Sequence, residues 1–354
     1  MVGILNVQWL NNYGSIILAY SMQKKLDQLG VDNEIIDFRP HTPNASGEIP
    51  SVHKEEKASS HGKIEKCEEF RKHFLRRSAP YVGIENVDQL DYDTYIAGSD
   101  TIWTPLRVND VEAKMYYLDF LEGKDVRRIA WAASIGSEDS SDLEIMRSHL
   151  TPRLKNFDHI SVRERDTAAF VQSLTDKKVV NAIDPVLMLH EEDYRKILPG
   201  TTDPGEKYIY AFLFDDLTGG YDTINELSEK TNLKVVGDVK HKEWIGNLLV
   251  DSCDDGPTEF VERIMNAEYI ITDSYHGFIF AMLAHKPFVC YTRYKSGVRA
   301  RNLLEVLGLE HHYLMNNEIG TDLLLSKIDY DTVFCKIDAW VKTSDEFLKE
   351  ALAD

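Results

Sequence analysis

The sequence predicts an α/β protein built from two Rossmann-like domains with mostly parallel sheets, facing each other across a cleft. Three observations predict it. The chain has 354 residues, more than the roughly 250–300 at which a single core stops growing. Short apolar runs alternate with helical stretches from the first residues onward, the rhythm of a parallel sheet. After the turn-forming cluster Pro199-Gly200-Thr201-Thr202-Asp203-Pro204-Gly205 a second series of the same kind begins. The expected domains are therefore residues 1–199 and 206–330, with residues 331–354 a C-terminal helix expected to pack back on the first domain.

The opening strand lies in Val2-Gly3-Ile4-Leu5 and runs into a loop that ends at Asn12-Tyr13-Gly14-Ser15. Leu18, Met22, Leu26 and Leu29 then share one helical face, which stops at Gly30. Glu34-Ile35-Ile36-Asp37-Phe38 is the next strand, so a βαβ unit places residues 12–15 at the carboxyl end of strand one, where a ligand can reach them. Residues 41–60 turn to Pro, Ser, Gly, His, Lys and Glu, an exposed and mobile excursion before a charged helix through Phe70 and Phe74. Strands follow at Tyr95-Ile96-Ala97, Arg128-Ile129-Ala130-Trp131-Ala132-Ala133, His159-Ile160-Ser161-Val162 and Val179-Val180-Asn181-Ala182-Ile183. The second series has strands at Tyr208-Ile209-Tyr210-Ala211-Phe212-Leu213-Phe214, Leu233-Lys234-Val235-Val236, Tyr269-Ile270-Ile271-Thr272 and Pro287-Phe288-Val289-Cys290-Tyr291, with helices near 258–266, 277–284 and 301–307.

Composition narrows the function. A formal net charge of −19 repels nucleic acid and anionic membranes, so no nucleic-acid partner is expected and an anionic substrate requires a local cluster of Arg and His. Cys67, Cys253, Cys290 and Cys335 lie far apart with no Cys-x-x-Cys spacing, which suggests reduced thiols and neither a zinc site nor a disulfide framework. The strand-like N-terminus and the absence of an apolar run of about 18 residues predict a cytoplasmic protein with no membrane span. No dinucleotide Gly-x-Gly-x-x-Gly, Walker loop, His-Glu-x-x-His or Gly-x-Ser-x-Gly occurs in a matching context, and no cofactor is expected. The pair Asp91-x-Asp93 has a spacing common by chance, and no metal is assigned to it.

Chemistry gathers where strands end. Thr272-Asp273-Ser274-Tyr275-His276-Gly277 leads from an apolar strand into an apolar helix, which puts His276 at a helix N-terminus, a place that favours a phosphate or carboxylate. A neutral His276 that gains a proton beside a bound anion is an acid or base; the alternative is a capped helix in which the ring satisfies a buried carbonyl. Ser161-Val162-Arg163-Glu164 makes the same transition, and Arg163 either holds an anion bidentately or pairs internally with Glu164 or another acid. Arg299 and Arg301 are a further anion contact or a solvated helix start. Gly98-Ser99-Asp100 lets a ligand approach the backbone while Asp100 reaches it, or is a tight turn over a packed Trp103; Ser134 lies in a comparable loop.

Taken in order, Asn12-Tyr13-Gly14, Gly98-Ser99-Asp100-x-x-Trp103, Ala132-Ala133-Ser134-x-Gly136, Ser161-Val162-Arg163-Glu164, Asp184-Pro185 and Asp273-Ser274-Tyr275-His276-Gly277 resemble the polysaccharide pyruvyl transferase family. The chain departs from the family pattern at Thr101, Thr104, Tyr275 and Ala130-Trp131, where Gln, Asn, Phe and Ser-Tyr are usual. The resemblance implies a GT-B-like fold and transfer of pyruvate from phosphoenolpyruvate to a sugar of a glycan or glycolipid-linked precursor, as a ketal. It casts His276 and Asp100 as catalytic acid and base in an unassigned order. Arg163, Ser274, Gly277 and Arg299 then bind the donor, and Asn12, Tyr13, Gly14, Gly98, Ser99 and Ser134 line the acceptor side. Two other functions fit the same letters: a GT-B glycosyltransferase using a nucleotide sugar, and a non-catalytic ligand-binding protein on this fold.

Overall fold

The computed structural model describes residues 1–40, 60–78, 86–202, 204–292 and 297–353, so residues 41–59 of the expected excursion lie outside the described residues. The chain divides into two compact units, the first comprising Met1–Ser59, Glu68–Met188 and Asp338–Asp354, the second Ser60–Cys67 and Leu189–Ile337.

The first unit holds β1 (Val2–Leu5), α1 (Tyr13–Gln28), β2 (Asn33–Ile35), the later turns of α2 (His61–Phe74), β3 (Thr94–Asp100), α3 (Asp110–Tyr116), β4 (Arg127–Ala133), α4 (Ser140–Leu150), β5 (His159–Val162), α5 (Arg165–Gln172) and β6 (Val179–Asn181). Its six strands are parallel in the order β2-β1-β3-β4-β5-β6. Asn12 starts α1 by accepting from Ser15 N at 3.2 Å, a cap worth about 1 kcal/mol. The helix is buried beyond one stripe: Ile16, Ile17, Leu18, Ala19, Met22 and Leu26 are all fully enclosed. Trp103, Tyr116, Tyr117 and Phe157 fill the core under β3 and β4, with Trp103 stacked on Tyr117.

The second unit runs α6 (Glu191–Arg195), β7 (Tyr208–Leu213), α7 (Thr218–Thr231), β8 (Lys234–Val239), β9 (Leu248–Asp251), α8 (Pro257–Asn266), β10 (Tyr269–Thr272), α9 (Tyr275–Leu283), β11 (Phe288–Tyr291), α10 (Val298–Leu307), β12 (Tyr313–Leu314), α11 (Thr321–Leu325) and the start of α12 (Tyr330–Ala353). Its strands are also parallel, in the order β12-β11-β10-β7-β8-β9. Ile209, Ala211, Ile224, Leu227, Ile271 and Val289 form its core.

The expected α/β class with parallel sheets is what the molecule has. β9 and β12 were not expected, for a physical reason: both are sheet edges, and β9 is half-exposed without apolar alternation while β12 is two residues long. The last part of α12 joins the first unit, where Trp340 Nε1 donates to Asn181 O at 2.8 Å and Ser344 Oγ accepts from Ile183 N at 2.8 Å.

In each sheet the chain builds outward on one side and then crosses to the other. That reversal falls between β1 and β3 in the first sheet and between β7 and β10 in the second. Neighbouring loops part at such a point and leave a crevice at the carboxyl ends of the strands, the place where ligands bind in open α/β sheets.

Candidate active site

The second unit's crevice is closed on one side by Asp273, directly after β10. Its carboxylate accepts from Phe214 N at 3.0 Å and from Asp215 N at 3.1 Å, which ties the end of β10 to the loop after β7. Ser274 caps α9 by accepting from Gly277 N at 3.3 Å. Gly277 is required by close approach: a Cβ there would lie 2.6 Å from Thr272 Oγ1, a hydroxyl that donates to Phe212 O and accepts from Ser274 N. Phe278, Ile279, Phe280 and Met282 follow, all fully buried, and at about 1.5–3 kcal/mol for each such side chain they anchor the helix rigidly. His276 thus sits on the first turn of a fixed helix, 6% exposed, its ring 5.2 Å from that of Tyr275 and nearly perpendicular to it. Arg299, on the first turn of α10, lies with its guanidinium carbon 5.3 Å from the Tyr275 ring centre. Arg301 points elsewhere, into a half-exposed pair with Glu305.

Further along the same edge, His241 follows β8. Its Nε2 is 2.5 Å from Asp216 Oδ1 and its Nδ1 3.1 Å from Glu243 Oε1, and the ring stacks on Trp244 with centres 4.0 Å apart. The hydrogen bond to Asp216 raises the His241 pKa above the usual imidazole value.

In the first unit Asn12, Tyr13, Gly14, Gly98, Ser99, Asp100, Ser134 and Arg163 gather at the carboxyl ends of β1, β3, β4 and β5. Gly98 has φ +143°, and a Cβ on it would meet Trp131 O at 2.0 Å, so β3 and β4 approach there as only glycine permits. Ser99 Oγ donates to Ala132 O at 2.6 Å, continuing the stitch. Asp100, the expected acid or base, has φ +71° and uses both oxygens within the unit: Oδ2 accepts from Ser15 Oγ at 2.7 Å and Oδ1 from Thr101 N at 2.8 Å.

Arg163, the expected donor contact, has the internal pairing that was its alternative. Its Nη1 donates to Asp184 Oδ2 at 2.6 Å and its Nε to Glu164 Oε1 at 3.1 Å, and its Nη2 lies 3.8 Å from Asp100 Oδ1. Ser134 donates to the same Glu164 oxygen at 2.7 Å, so this serine braces the acid layer.

Two arginines that local sequence gives no reason to single out hold the neighbouring loops. Arg71, fully buried on α2, donates to Gln8 O at 2.8 Å, to Leu10 O at 2.6 Å and to Asn11 Oδ1 at 3.2 Å. Arg107 donates to Thr101 O at 3.2 Å, pairs with Glu112, and lies 5.8 Å from the ring centres of both Trp9 and Tyr116. The carbonyl partners of Arg71 lie some 60 residues earlier, so no local pattern signals them, whereas Arg107 is bonded within its own stretch, to Thr101 and Glu112.

Among the described residues no three His, Cys, Asp or Glu side chains come together to hold a metal ion, and no helix is long and apolar enough to cross a membrane. Asp91 and Asp93 precede β3, at the amino end of the sheet and away from these loops.

The polysaccharide pyruvyl transferase family model matches residues 12–295, a span that includes the loops at residues 12–15, 98–103, 134–136 and 273–277 and ends just before Arg299. The chain belongs to this family. It is accordingly a transferase. No curated protein matches the chain. Similar solved structures include UDP-N-acetylglucosamine 2-epimerase from Rickettsia bellii, with a TM-score of 0.61 at 11% identity over 99% of this chain and 95% of that one. The UDP-GlcNAc 2-epimerase of Neisseria meningitidis bound to UDP-GlcNAc gives 0.55 at 10% identity over 100% and 99%. The MnaA–UDP structure from S. aureus gives 0.53 at 12% over 95% and 90%. At such identities these likenesses establish the fold, which is of the GT-B type.

Proposed function

We propose that this polysaccharide pyruvyl transferase uses phosphoenolpyruvate as donor and forms a cyclic pyruvate ketal on one sugar of a glycan or glycolipid-linked precursor. The observation that carries the reading is the placement of His276, nearly buried on the first turn of α9 at the β7/β10 reversal. The exposed N–H groups and positive end of that helix suit the donor's phosphate or carboxylate, and the imidazole stands where a proton must move.

The chemistry balances without an oxidant or reductant. One sugar hydroxyl oxygen bonds to the central carbon of the enol phosphate while the methylene carbon takes a proton and becomes a methyl group. The bond from the central carbon to the phosphate oxygen then breaks, phosphate leaves with the electron pair, and the second hydroxyl oxygen takes its place on the central carbon. The proton of the first hydroxyl matches the one gained by the methyl group, and the proton of the second leaves with phosphate. His276 is assigned to these transfers, a role worth about 10²–10⁴-fold. Asp100 and Arg163, engaged with Ser15, Glu164 and Asp184, are assigned to shaping the acceptor loops at residues 12–15, 98–103 and 134–136.

The test is thermal stability of the purified protein with phosphoenolpyruvate or with UDP-GlcNAc, followed by phosphate release when candidate glycan acceptors are added. A ligand at a hundredfold excess over its Kd stabilises by about 2.7 kcal/mol. Stabilisation by phosphoenolpyruvate, and turnover lost in His276→Ala, is the expected result. Stabilisation by UDP-GlcNAc alone would instead identify a glycosyl transferase.

A further inference from the structure

We propose that the side chains of Asn6 and Gln8, in the loop leaving β1, form a subsite for two adjoining hydroxyls of the acceptor sugar, Asn6 donating and Gln8 accepting. The inference rests on the sugar-acceptor part of the reading above and deepens it.

Both residues are buried, Asn6 at 1% and Gln8 at 0% exposure. Asn6 Nδ2 and Gln8 Oε1 nevertheless have no hydrogen-bond partner among the described residues. The opposite ends of the two amides are used, and those bonds settle their orientation. Gln8 Nε2 donates at 2.8 Å to Asp37 Oδ1, a carboxylate oxygen that accepts. Asn6 Oδ1 accepts at 3.3 Å from Gln8 N, which only donates. Turning either amide round would set donor against donor or acceptor against acceptor.

Other groups hold the backbone of this loop. Arg71 donates to Gln8 O at 2.8 Å, Tyr116 Oη to Asn6 O at 3.4 Å, and Trp9 Nε1 to Tyr116 Oη at 3.1 Å. One donor and one acceptor are thus presented in a fixed arrangement. Burying a polar group without a partner is costly, and native interiors seldom do it. Two such atoms of opposite sense in one loop point to a partner that comes from outside the chain.

Their place in the fold is suited to one. Leu5 pairs with Ala97 in the sheet, so Asn6 leaves β1 level with Gly98 and two positions short of Asp100 on β3. This is the carboxyl edge where β1 and β3 part, the edge at which open α/β sheets take ligands. It adjoins the loop at residues 98–103 assigned above to the acceptor. The chemistry of the pair selects the ligand. An anion satisfies Asn6 and is repelled by the Gln8 carbonyl, and a cation does the reverse. A hydroxyl both donates and accepts, and neighbouring hydroxyls of a hexose supply one for each amide.

The experiment is a saturation-transfer NMR titration of wild type, Asn6→Thr and Gln8→Met. The probes are the methyl glycosides of glucose, galactose, mannose, N-acetylglucosamine and N-acetylmannosamine, and then the monodeoxy analogues of the best binder. Threonine keeps an oxygen that accepts from Gln8 N and puts a methyl group where the amide N–H groups were. Wild type is expected to bind at least one glycoside, and Asn6→Thr and Gln8→Met to bind it about 3- to 30-fold more weakly. The ligand-free unfolding temperature of Asn6→Thr is expected to be unchanged or higher. One monodeoxy analogue, already weakened in wild type because its loss leaves Asn6 unpaired, is expected to lose nothing further in Asn6→Thr.

Wild type that binds none of the glycosides, wild-type affinity in Asn6→Thr, or losses that multiply for every monodeoxy analogue would each overturn the inference. So would a lowered unfolding temperature with unchanged sugar affinity, which identifies a buried water as the partner. If Asn6→Thr fails to fold, Asn6→Asp, the same size with an acceptor in place of the donor, decides by the same comparison. Sugar binding is read without phosphoenolpyruvate, so a protein that binds a glycoside through these amides and does not bind phosphoenolpyruvate defeats the donor assignment alone.

Discussion

Replacing Arg163 by Met should destabilise the first unit severely while leaving the second intact. Arg163 is 3% exposed, and the side chains of Asp184, Glu164 and Asp100 around it are 0%, 3% and 8% exposed. Methionine preserves much of the buried stem volume, so the loss isolates the charge. Removing one partner of a buried ionic cluster leaves the other charges uncompensated, at a cost of about 3–5 kcal/mol. For a unit of this size that corresponds to about 6–20 °C in the unfolding temperature. Tryptophan fluorescence reports it selectively, because Trp9, Trp103, Trp131 and Trp340 belong to the first unit and only Trp244 to the second. The double variant Arg163→Met/Asp184→Asn should lose less than the sum of its parts, since the second change removes a charge the first has stranded. A loss below about 1 kcal/mol in Arg163→Met, with phosphoenolpyruvate binding abolished, would refute this reasoning and return Arg163 to the donor.

Two other expectations concern the second unit. Asp273→Asn keeps the shape but loses one acceptor oxygen of a carboxylate that receives Phe214 N and Asp215 N, so this unit should lose about 1–3 kcal/mol and the amides of 214 and 215 should exchange faster with solvent. His241 has a pKa raised by its hydrogen bond to Asp216. Its contribution to stability is therefore fully present below the unfolded value of about 6.5 and is lost as pH rises through the folded value. His241→Gln should flatten that pH dependence, read from the fluorescence difference between wild type and Trp244→Phe, and an unchanged profile would assign the dependence to another group.

The fold was largely legible because it rests on periodicity. Strands such as β7 and β10 are continuous apolar runs buried on both faces, and α1 announces its start with Asn12 and its end with Gly30. The loops of the candidate site were legible as places, since each lies directly after a strand. The work done by their side chains was less so. Gly277 reads as part of a donor-binding helix end, yet its want of a side chain is explained by Thr272 Oγ1. Arg163 reads as ligand clamp or internal pair, and the strongest pair it makes is with Asp184, 21 positions along the chain. Arg71 reads as one more charge on a polar helix, although its partners are carbonyls some 60 residues earlier. Local sequence shows which residues can carry charge; it does not show which charges the fold encloses.

The allocation of α12 bears on how the protein is made. Its part beyond Ile337 supplies Trp340 and Ser344 to the backbone at Asn181 and Ile183, and Asp345 to Lys25 on α1 at 2.7 Å. During synthesis the residues of the second unit, 189–337, must all leave the ribosome before this last piece of the first unit exists. The second unit can thus fold while its predecessor is still waiting, a reversal of the usual N-terminal-first order. Over that interval the backbone groups of Asn181 and Ile183 lack these partners, which makes the end of β6 a place where a nascent chain would need protection from its neighbours.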